Sequence, residues 1–192
     1  GPLRIGDRFL FWTTTPWTVP SNLAIAVGSD IEYARIDRDG GSYWVAVDLV
    51  GPVFDDDAVA AATVRGEALV GARYAPPLPY FADRAADGAF TVIASDDVTT
   101  EEGTGLVHMA PAYGEADFLA LQGAGIDVLV DPVDAEGRFT DEVPDVAGRN
   151  VKDADPVLID LLKATGAIFH RSTIRHSYPF CWRTGTPLIY KA

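Results

Sequence analysis

The chain is 192 residues long, 48% apolar and 22% charged, enough for one cored domain of ordinary globular composition. A formal net charge of −13 speaks against a protein that grips nucleic acid over its whole surface, because phosphate binding draws on clustered Lys and Arg. Cys181 is the single cysteine, which excludes an internal disulfide, and a zinc site would have to recruit His108, His170, His176 or carboxylates.

Gly1-Pro2 reads as a protease-cleavage scar, so residues 1–192 are expected to be a single domain excised from a larger protein. No run of about 18 apolar residues and no signal-peptide layout occurs, so the expected setting is the cytoplasm, with no membrane as partner.

In chain order, short β-prone runs dominate. Residues 8–13 form the first and lead into Thr13-Thr14-Thr15-Pro16-Trp17-Thr18-Val19-Pro20-Ser21-Asn22. Two prolines turn the chain there, among four threonines and an asparagine. Hydroxyls both donate and accept, so such a strand end can hold a water and an ester or sugar oxygen at fixed distances. The same residues also suit a plain strand ended by proline, since β-branched threonine favours strands. Further strand runs cover 23–27, 32–37, 42–47, 59–64, 90–94 and 106–109, most of them bounded by Gly, Pro or Asp. Residues 33–47 read as a hairpin around Asp37-Arg38-Asp39-Gly40-Gly41. Pro76-Pro77-Leu78-Pro79 reads as a stiff surface linker.

Residues 103–117, from Gly103-Thr104-Gly105 through His108-Met109-Ala110-Pro111 to Asp117, read as a glycine-rich turn, a short strand, a loop and a helix start. Such a unit can aim a strand-end histidine and a first-turn carboxylate at one cavity. Equally, Asp117 can simply complement a helix dipole and His108 be a satisfied strand-end residue. No Gly-Lys-Ser or Gly-Lys-Thr follows the glycines, so this is not a phosphate loop.

Helical patterning covers 114–123 and 153–165, where Val157, Leu158, Leu161 and Leu162 share a stripe that Gly166 ends. Residues 167–175 return to a β pattern. The expected fold is mostly β with peripheral α-helices, a barrel-like curved sheet. Residues 161–192 hold Lys163, Arg171, Arg175, Arg183 and Lys191 and no acidic residue. They are either a local polyanion contact or a face that abuts an acidic neighbour in the parent protein.

Together the two polar stretches resemble the paired signature of the editing domain inserted into class I aminoacyl-tRNA synthetases for isoleucine, valine and leucine. Residues 13–22 are similar to the isoleucine branch; the other two usually carry Thr-Thr-Arg-Pro, so Thr15 points to isoleucine. The Gly-Thr-Gly-x-Val-His-x-Ala-Pro block extends the resemblance. So do Val130-Asp131-Pro132-Val133-Asp134 with Gly137-Arg138-Phe139-Thr140, and His176-Ser177-Tyr178-Pro179 with Cys181-Trp182-Arg183. One departure is Thr184, where relatives often carry a second cysteine; it removes the case for a metal pair. The His-x-Gly-His and Lys-Met-Ser-Lys-Ser signatures of the adenylate-forming site are absent.

The resemblance implies hydrolysis of the ester that joins wrongly attached valine to the 3′ end of isoleucine tRNA, with valyl-adenylate as a second candidate substrate. It implies no cofactor for editing, since ATP and Mg would belong to the synthetic domain. The partners it implies are isoleucine tRNA and the remainder of the parent synthetase, with the domain itself a monomer. Asp117 would hold the substrate α-ammonium. Thr14 and Thr15 would place the ester and the attacking water. Thr13, Trp17, Thr18, Asn22 and Met109 would line or support the pocket. His108 would be either pocket wall or general base; the wall is preferred, since the family resemblance implies a histidine that keeps isoleucine out.

A second site is needed because one methylene is worth only about 1–3 kcal/mol to an apolar pocket, a magnitude that comes from the well-known isoleucine–valine case itself and owes nothing to this chain. The reading requires Asp117 and the hydroxyls around Thr14 to face each other across a small cleft. A non-catalytic tRNA-docking insert and a structural spacer are the competing classes, and neither explains Asp117 and the threonine cluster together.

Overall fold

The computed structural model describes residues 1–172, 182–183 and 188–191. Arg175, His176, Ser177, Tyr178, Pro179, Cys181 and Thr184 therefore lie outside the described residues, as does the end of the 167–175 run. The described part of that run, 167–172, forms no strand.

Each of the other β-prone runs forms a strand: β1 (Asp7–Phe9), β2 (Ala24–Val27), β3 (Glu32–Arg38), β4 (Gly41–Ala46), β5 (Ala60–Arg65), β6 (Thr91–Ala94) and β7 (Leu106–Met109). The hairpin closes more tightly than its five-residue turn suggested. Arg38 pairs with Gly41, and Asp39 and Gly40 between them both take positive φ, 51° and 76°. This is the Asp-Gly turn whose twist matches that of the flanking strands.

The expected mix of sheets with peripheral helices is present, without a closed barrel: among the described residues the strands form two sheets, ordered β1-β4-β3-β5 and β6-β2-β7. In the first, β3 is antiparallel to β4 and β5, and β1 runs parallel to β4. In the second, β2 is parallel to β6 and antiparallel to β7. In β2 all four residues are buried. Ala24 and Ala26 join a large apolar cluster, while Ile25 and Val27 join a second one with Tyr33 and Trp44 of the other sheet. β2 thus stands between two apolar layers, one on each face of its sheet.

Helices cover the remaining face. After the short α1 (Val50–Val53), α2 (Glu115–Gly123) and α3 (Val151–Ala164) follow the predicted positions closely. Leu121 of α2 and Val151, Leu158 and Leu162 of α3 all pack in the large cluster. α3 begins two residues earlier than periodicity suggested, because Asn150 Oδ1 accepts the Lys152 N–H at 3.1 Å and caps the first turn. The result is three layers: helices, the three-stranded sheet, the four-stranded sheet. Among the described residues no helix is long and apolar enough to cross a membrane.

Two motifs turn out to be architectural. Gly105 has φ +75°, and a Cβ built on it would lie 2.4 Å from the Ala46 Cβ, so only glycine fits this close approach. Beside it, the Ala46 N–H donates to the Thr104 carbonyl at 2.8 Å and the Tyr33 hydroxyl donates to the Gly105 carbonyl at 2.7 Å. Gly103-Thr104-Gly105 thus ties the start of β7 to the four-stranded sheet. In the 130–140 run, Asp134 Oδ1 accepts the N–H groups of Glu136 and Arg138 at 3.0 and 2.8 Å, closing a turn whose flanks, Val133 and Phe139, sit in the large cluster.

Candidate functional site

β2 and β7 pair with Ala24 opposite Met109 and Ile25 opposite His108. The Leu23 N–H donates to the Met109 carbonyl at 2.9 Å and extends the pairing by one step. The threonine run enters β2 at this end and the segment toward Asp117 leaves β7 at the same end. Antiparallel pairing therefore gathers both polar stretches on one rim of the sheet.

The threonine run is not a simple strand end. Pro16–Ser21 winds into a 3-10 helix with proline at its first position, where a missing N–H costs nothing. The Thr18 N–H donates to the Thr15 carbonyl at 3.0 Å and closes the first turn, and the Thr18 hydroxyl donates to the same oxygen at 2.9 Å. Just before it, the Thr15 N–H donates to Thr13 Oγ1 at 3.1 Å, and the hydroxyls of Thr13 and Thr15 are 3.3 Å apart. Thr14 is exposed.

His108 is 9% exposed and stacks on Phe11, with ring centroids 5.2 Å apart and planes at 28°. Both ring nitrogens are occupied: Nε2 is 3.0 Å from Thr18 Oγ1, and Nδ1 is 2.8 Å from Asn22 Nδ2. The roles follow from the neighbours. Asn22 Nδ2 also donates to the Ala24 carbonyl at 3.0 Å, and Asn22 Oδ1 accepts from the Tyr74 hydroxyl at 2.7 Å, which orients the carboxamide. Nδ1 must then accept, Nε2 carries the proton and donates to Thr18, and Thr18 donates onward to Thr15. Burial pushes the imidazole pKa down to about 4, so the ring is neutral at pH 7.

Asp117 is the third residue of α2, where the helix dipole favours a carboxylate. Its Oδ2 accepts the Ala110 N–H at 2.8 Å, and Oδ1 has no hydrogen-bond partner among the described residues. Burial raises its pKa above the ordinary carboxylate value, opposed by the Ala110 hydrogen bond.

Trp17 and Met109, each 3% exposed, lie in the large apolar cluster. Trp17 meets Tyr113 edge to face at 4.8 Å and so fastens the 3-10 helix to the turn at Pro111–Tyr113. Thr18 and Asn22, at 7% and 2%, face inward onto His108. All four were expected to line or support the pocket, and their side chains stand behind the rim. Among the described residues no hydrogen bond joins Thr14 to Asp117; the two segments meet through Trp17 on Tyr113 and through Thr18 and Asn22 on His108.

Sequence reasoning missed Phe11, Tyr74, the Ala110 N–H and Tyr113. Phe11 flanks the first polar stretch and Tyr113 lies within the second, where it carried no assigned role. Tyr74 reaches Asn22 from a loop and carries no spacing signal.

Hollows of about 580 and 360 Å³ lie elsewhere, the first lined by Asp30, Glu32, Asp48, Arg65 and Thr100, the second by Ala34, Val50, Asp55 and Thr63. Among the described residues, Lys163 and Lys191 of the C-terminal basic group are paired within the chain. Lys191 Nζ is 2.8 Å from Asp131 and donates to the Val133 carbonyl, and Lys163 Nζ is 3.1 Å from Asp160. Among the described residues no group of three or more His, Cys, Asp or Glu is placed to hold a metal ion.

The fold is that of the editing domains of solved leucyl-tRNA synthetases. The structure resembles the crystal structure of GlLeuRS-CP1 with a TM-score of 0.65 at 15% identity, covering 88% of this chain and 84% of that one. It also resembles the editing domain of the P. knowlesi cytosolic leucyl-tRNA synthetase, with a TM-score of 0.62 at 11% identity over 82% and 81% of the two chains. Such identities establish the fold alone.

By sequence the chain is 54% identical over 186 residues to the isoleucine–tRNA ligase of Bdellovibrio bacteriovorus, covering 94% of this chain and 18% of that protein. It is 49% identical over 187 residues to the isoleucine–tRNA ligase of Chlamydia pneumoniae, covering 95% and 18%. The chain belongs with the editing domains of the isoleucine–tRNA ligases, and it spans 18% of the length of these relatives. No family model matches it.

Proposed function

We propose that the domain hydrolyses the ester between valine and the terminal adenosine of isoleucine tRNA, a proofreading step that follows mistaken transfer. Water attacks the ester carbonyl carbon, the bond from that carbon to the ribose oxygen breaks, and the ribose oxygen takes up a proton. The products are valine and free tRNA. Valyl-adenylate is a second candidate substrate, cleaved at its mixed anhydride by the same water.

The observation that carries this reading is the rim itself. A half-buried carboxylate with one unused oxygen stands on the segment leaving β7, and a run of ordered hydroxyls stands on the segment entering β2. Asp117 Oδ1 suits the α-ammonium of the aminoacyl group, a charge-assisted contact that offsets its burial. Thr14 and Thr15 place the ester and the water, with Thr13 holding Thr15 in position.

His108 serves as pocket wall. A base must offer a free lone pair to the water, and here Nδ1 accepts from Asn22 while Nε2 carries a proton. Catalysis then rests on positioning, helped by the vicinal hydroxyl of the substrate ribose. Trp17, Thr18, Asn22 and Met109 support the wall from inside. No metal enters this chemistry, and a chelator is expected to leave the rate unchanged; ATP and Mg belong to the synthetic part of the parent enzyme.

The test is deacylation of valyl- and isoleucyl-tRNA for isoleucine by the isolated domain. Cleavage of the valyl ester in preference to the isoleucyl ester is expected, slowed because most tRNA contacts belong to the rest of the synthetase. Failure to cleave either ester above the spontaneous rate, even at high enzyme concentration, overturns the reading.

A further inference from the structure

We propose that Phe11 is a specificity-determining residue: it backs His108, so that the imidazole does not give way to a side chain larger than that of valine. This role rests on the proposed reading of His108 as the wall of an ester-hydrolysing pocket.

The imidazole is held unevenly. Its two hydrogen bonds, Nε2 with Thr18 Oγ1 at 3.0 Å and Nδ1 with Asn22 Nδ2 at 2.8 Å, act in the ring plane, where imidazole N–H groups and lone pairs point. They oppose sliding within that plane. Against movement along the ring normal they do less, because a hydrogen bond tolerates bending until its angle falls to about 120°. A wall that must exclude one methylene has to resist such a retreat.

Phe11 blocks it on one face. The two rings stack with centroids 5.2 Å apart and planes at 28°. Phe11 is itself fixed in two ways. Its side chain packs against both apolar clusters, and the backbone just before it is tied to the four-stranded sheet, where the Leu10 N–H donates to the Trp44 carbonyl at 3.2 Å. His108 meets it from the other sheet. Its register partner Ile25 belongs to the second cluster, so both side chains leave β2 and β7 on the face turned toward the four-stranded sheet. A ligand group pressing on the opposite face of the imidazole therefore drives it onto a ring that close packing holds in place.

The experiment measures kcat/KM for the valyl and isoleucyl esters of isoleucine tRNA on the wild-type domain, Phe11→Ala, His108→Ala and the double variant. Phe11→Ala opens space behind the imidazole. It is expected to cut the preference for the valyl ester at least about tenfold, through a rise in isoleucyl cleavage, the effect that one methylene has in an apolar pocket. Because Phe11 acts through His108, the double variant is expected to match His108→Ala. Damage to the fold alone lowers both rates together and leaves their ratio unchanged.

A wild-type ratio in Phe11→Ala overturns the proposal. So does a double variant that loses the same factor again, which would make Phe11 a wall in its own right. Should Phe11→Ala not fold, Phe11→Leu decides, since it keeps apolar volume without the flat stacked face; a smaller loss in the same direction is expected, and an unchanged ratio overturns the role. Ring-current shifts on the His108 carbon protons, present in the wild type and lost in the variants, check the stack without any activity, and their absence from the wild type also overturns it. A wild type that cleaves neither ester, or both alike, overturns the functional reading and this role with it; a discriminating wild type whose Phe11 variants discriminate as well overturns the role alone.

Discussion

Asn22 and His108, 86 positions apart in the chain, meet at 2.8 Å, and this contact removes the one ring nitrogen that could have accepted a proton from water. The pairing of β2 with β7 places them together, since Asn22 lies just before the first and His108 sits within the second.

His108→Ala removes the wall while leaving the threonines and Asp117 in place. The variant is expected to begin cleaving correctly charged isoleucyl-tRNA and to keep valyl-tRNA cleavage within about tenfold of wild type. Parallel deacylation assays check this. Complete loss of valyl cleavage would instead make the ring a general base.

The depressed pKa of His108 has a consequence for stability. The unfolded ring takes a proton near 6.5 and the folded ring only near about 4, so between these values the unfolded state binds one proton more. Stability contributed by this ring is complete above pH 6.5 and declines as pH falls toward 4. Urea titrations of the wild type across this window should therefore slope by one proton more than those of His108→Gln. The acid limb of the rate profile should likewise show no inflection near 6.5 that His108→Gln abolishes.

Asp117→Asn is expected to separate function from stability. The raised carboxyl pKa means that folding disfavours the ionised form, a penalty that grows as pH rises through the ordinary carboxylate value and is complete above the folded one. Asparagine escapes it and can still accept the Ala110 N–H. Thermal unfolding at pH 7 should show a higher midpoint for the variant, while its valyl-tRNA cleavage falls by roughly 100-fold for want of a charged partner to the ammonium. A lower midpoint would contradict the role of burial.

Thr18→Val is close to isosteric yet leaves the His108 Nε2–H without a partner, while the Thr15 carbonyl keeps only the Thr18 N–H. A loss of about 1–3 kcal/mol is expected, measured as the shift in urea midpoint at constant slope. An unchanged midpoint would mean that water replaces the hydroxyl.

Gly105→Ala must place a methyl group against Ala46 at positive φ. The expected cost is about 1–3 kcal/mol or more, read from the same titration, with far-UV circular dichroism confirming that the strands survive.

Strands and principal helices were legible because they are local. Alternation and turn residues located β2 through β7 within two residues, and the stripe of Leu158, Leu161 and Leu162 located α3. Sheet closure was not legible. Whether Ile25 and Ala24 face one interior or two depends on partners such as Trp44 and Leu158, which no periodicity reveals. The 3-10 helix at Pro16–Ser21 was hidden by β-branched threonines, although a proline at its start was a usable signal. At the rim, Thr15, His108 and Asp117 stood out through motif, whereas Tyr74 acts through a single hydroxyl from a loop. Within the Gly-Thr-Gly block, Gly105 answers a steric fit between the sheets that the motif alone did not reveal.

Because β2 sends neighbouring side chains into both apolar clusters, neither cluster can come apart while the other stays intact. Amide protons of Ile25 and Ala26 should exchange with solvent only when the entire molecule opens. The ester-facing rim is thus anchored to the slowest-breathing part of the protein, and its spacing should persist through every partial opening of the outer loops.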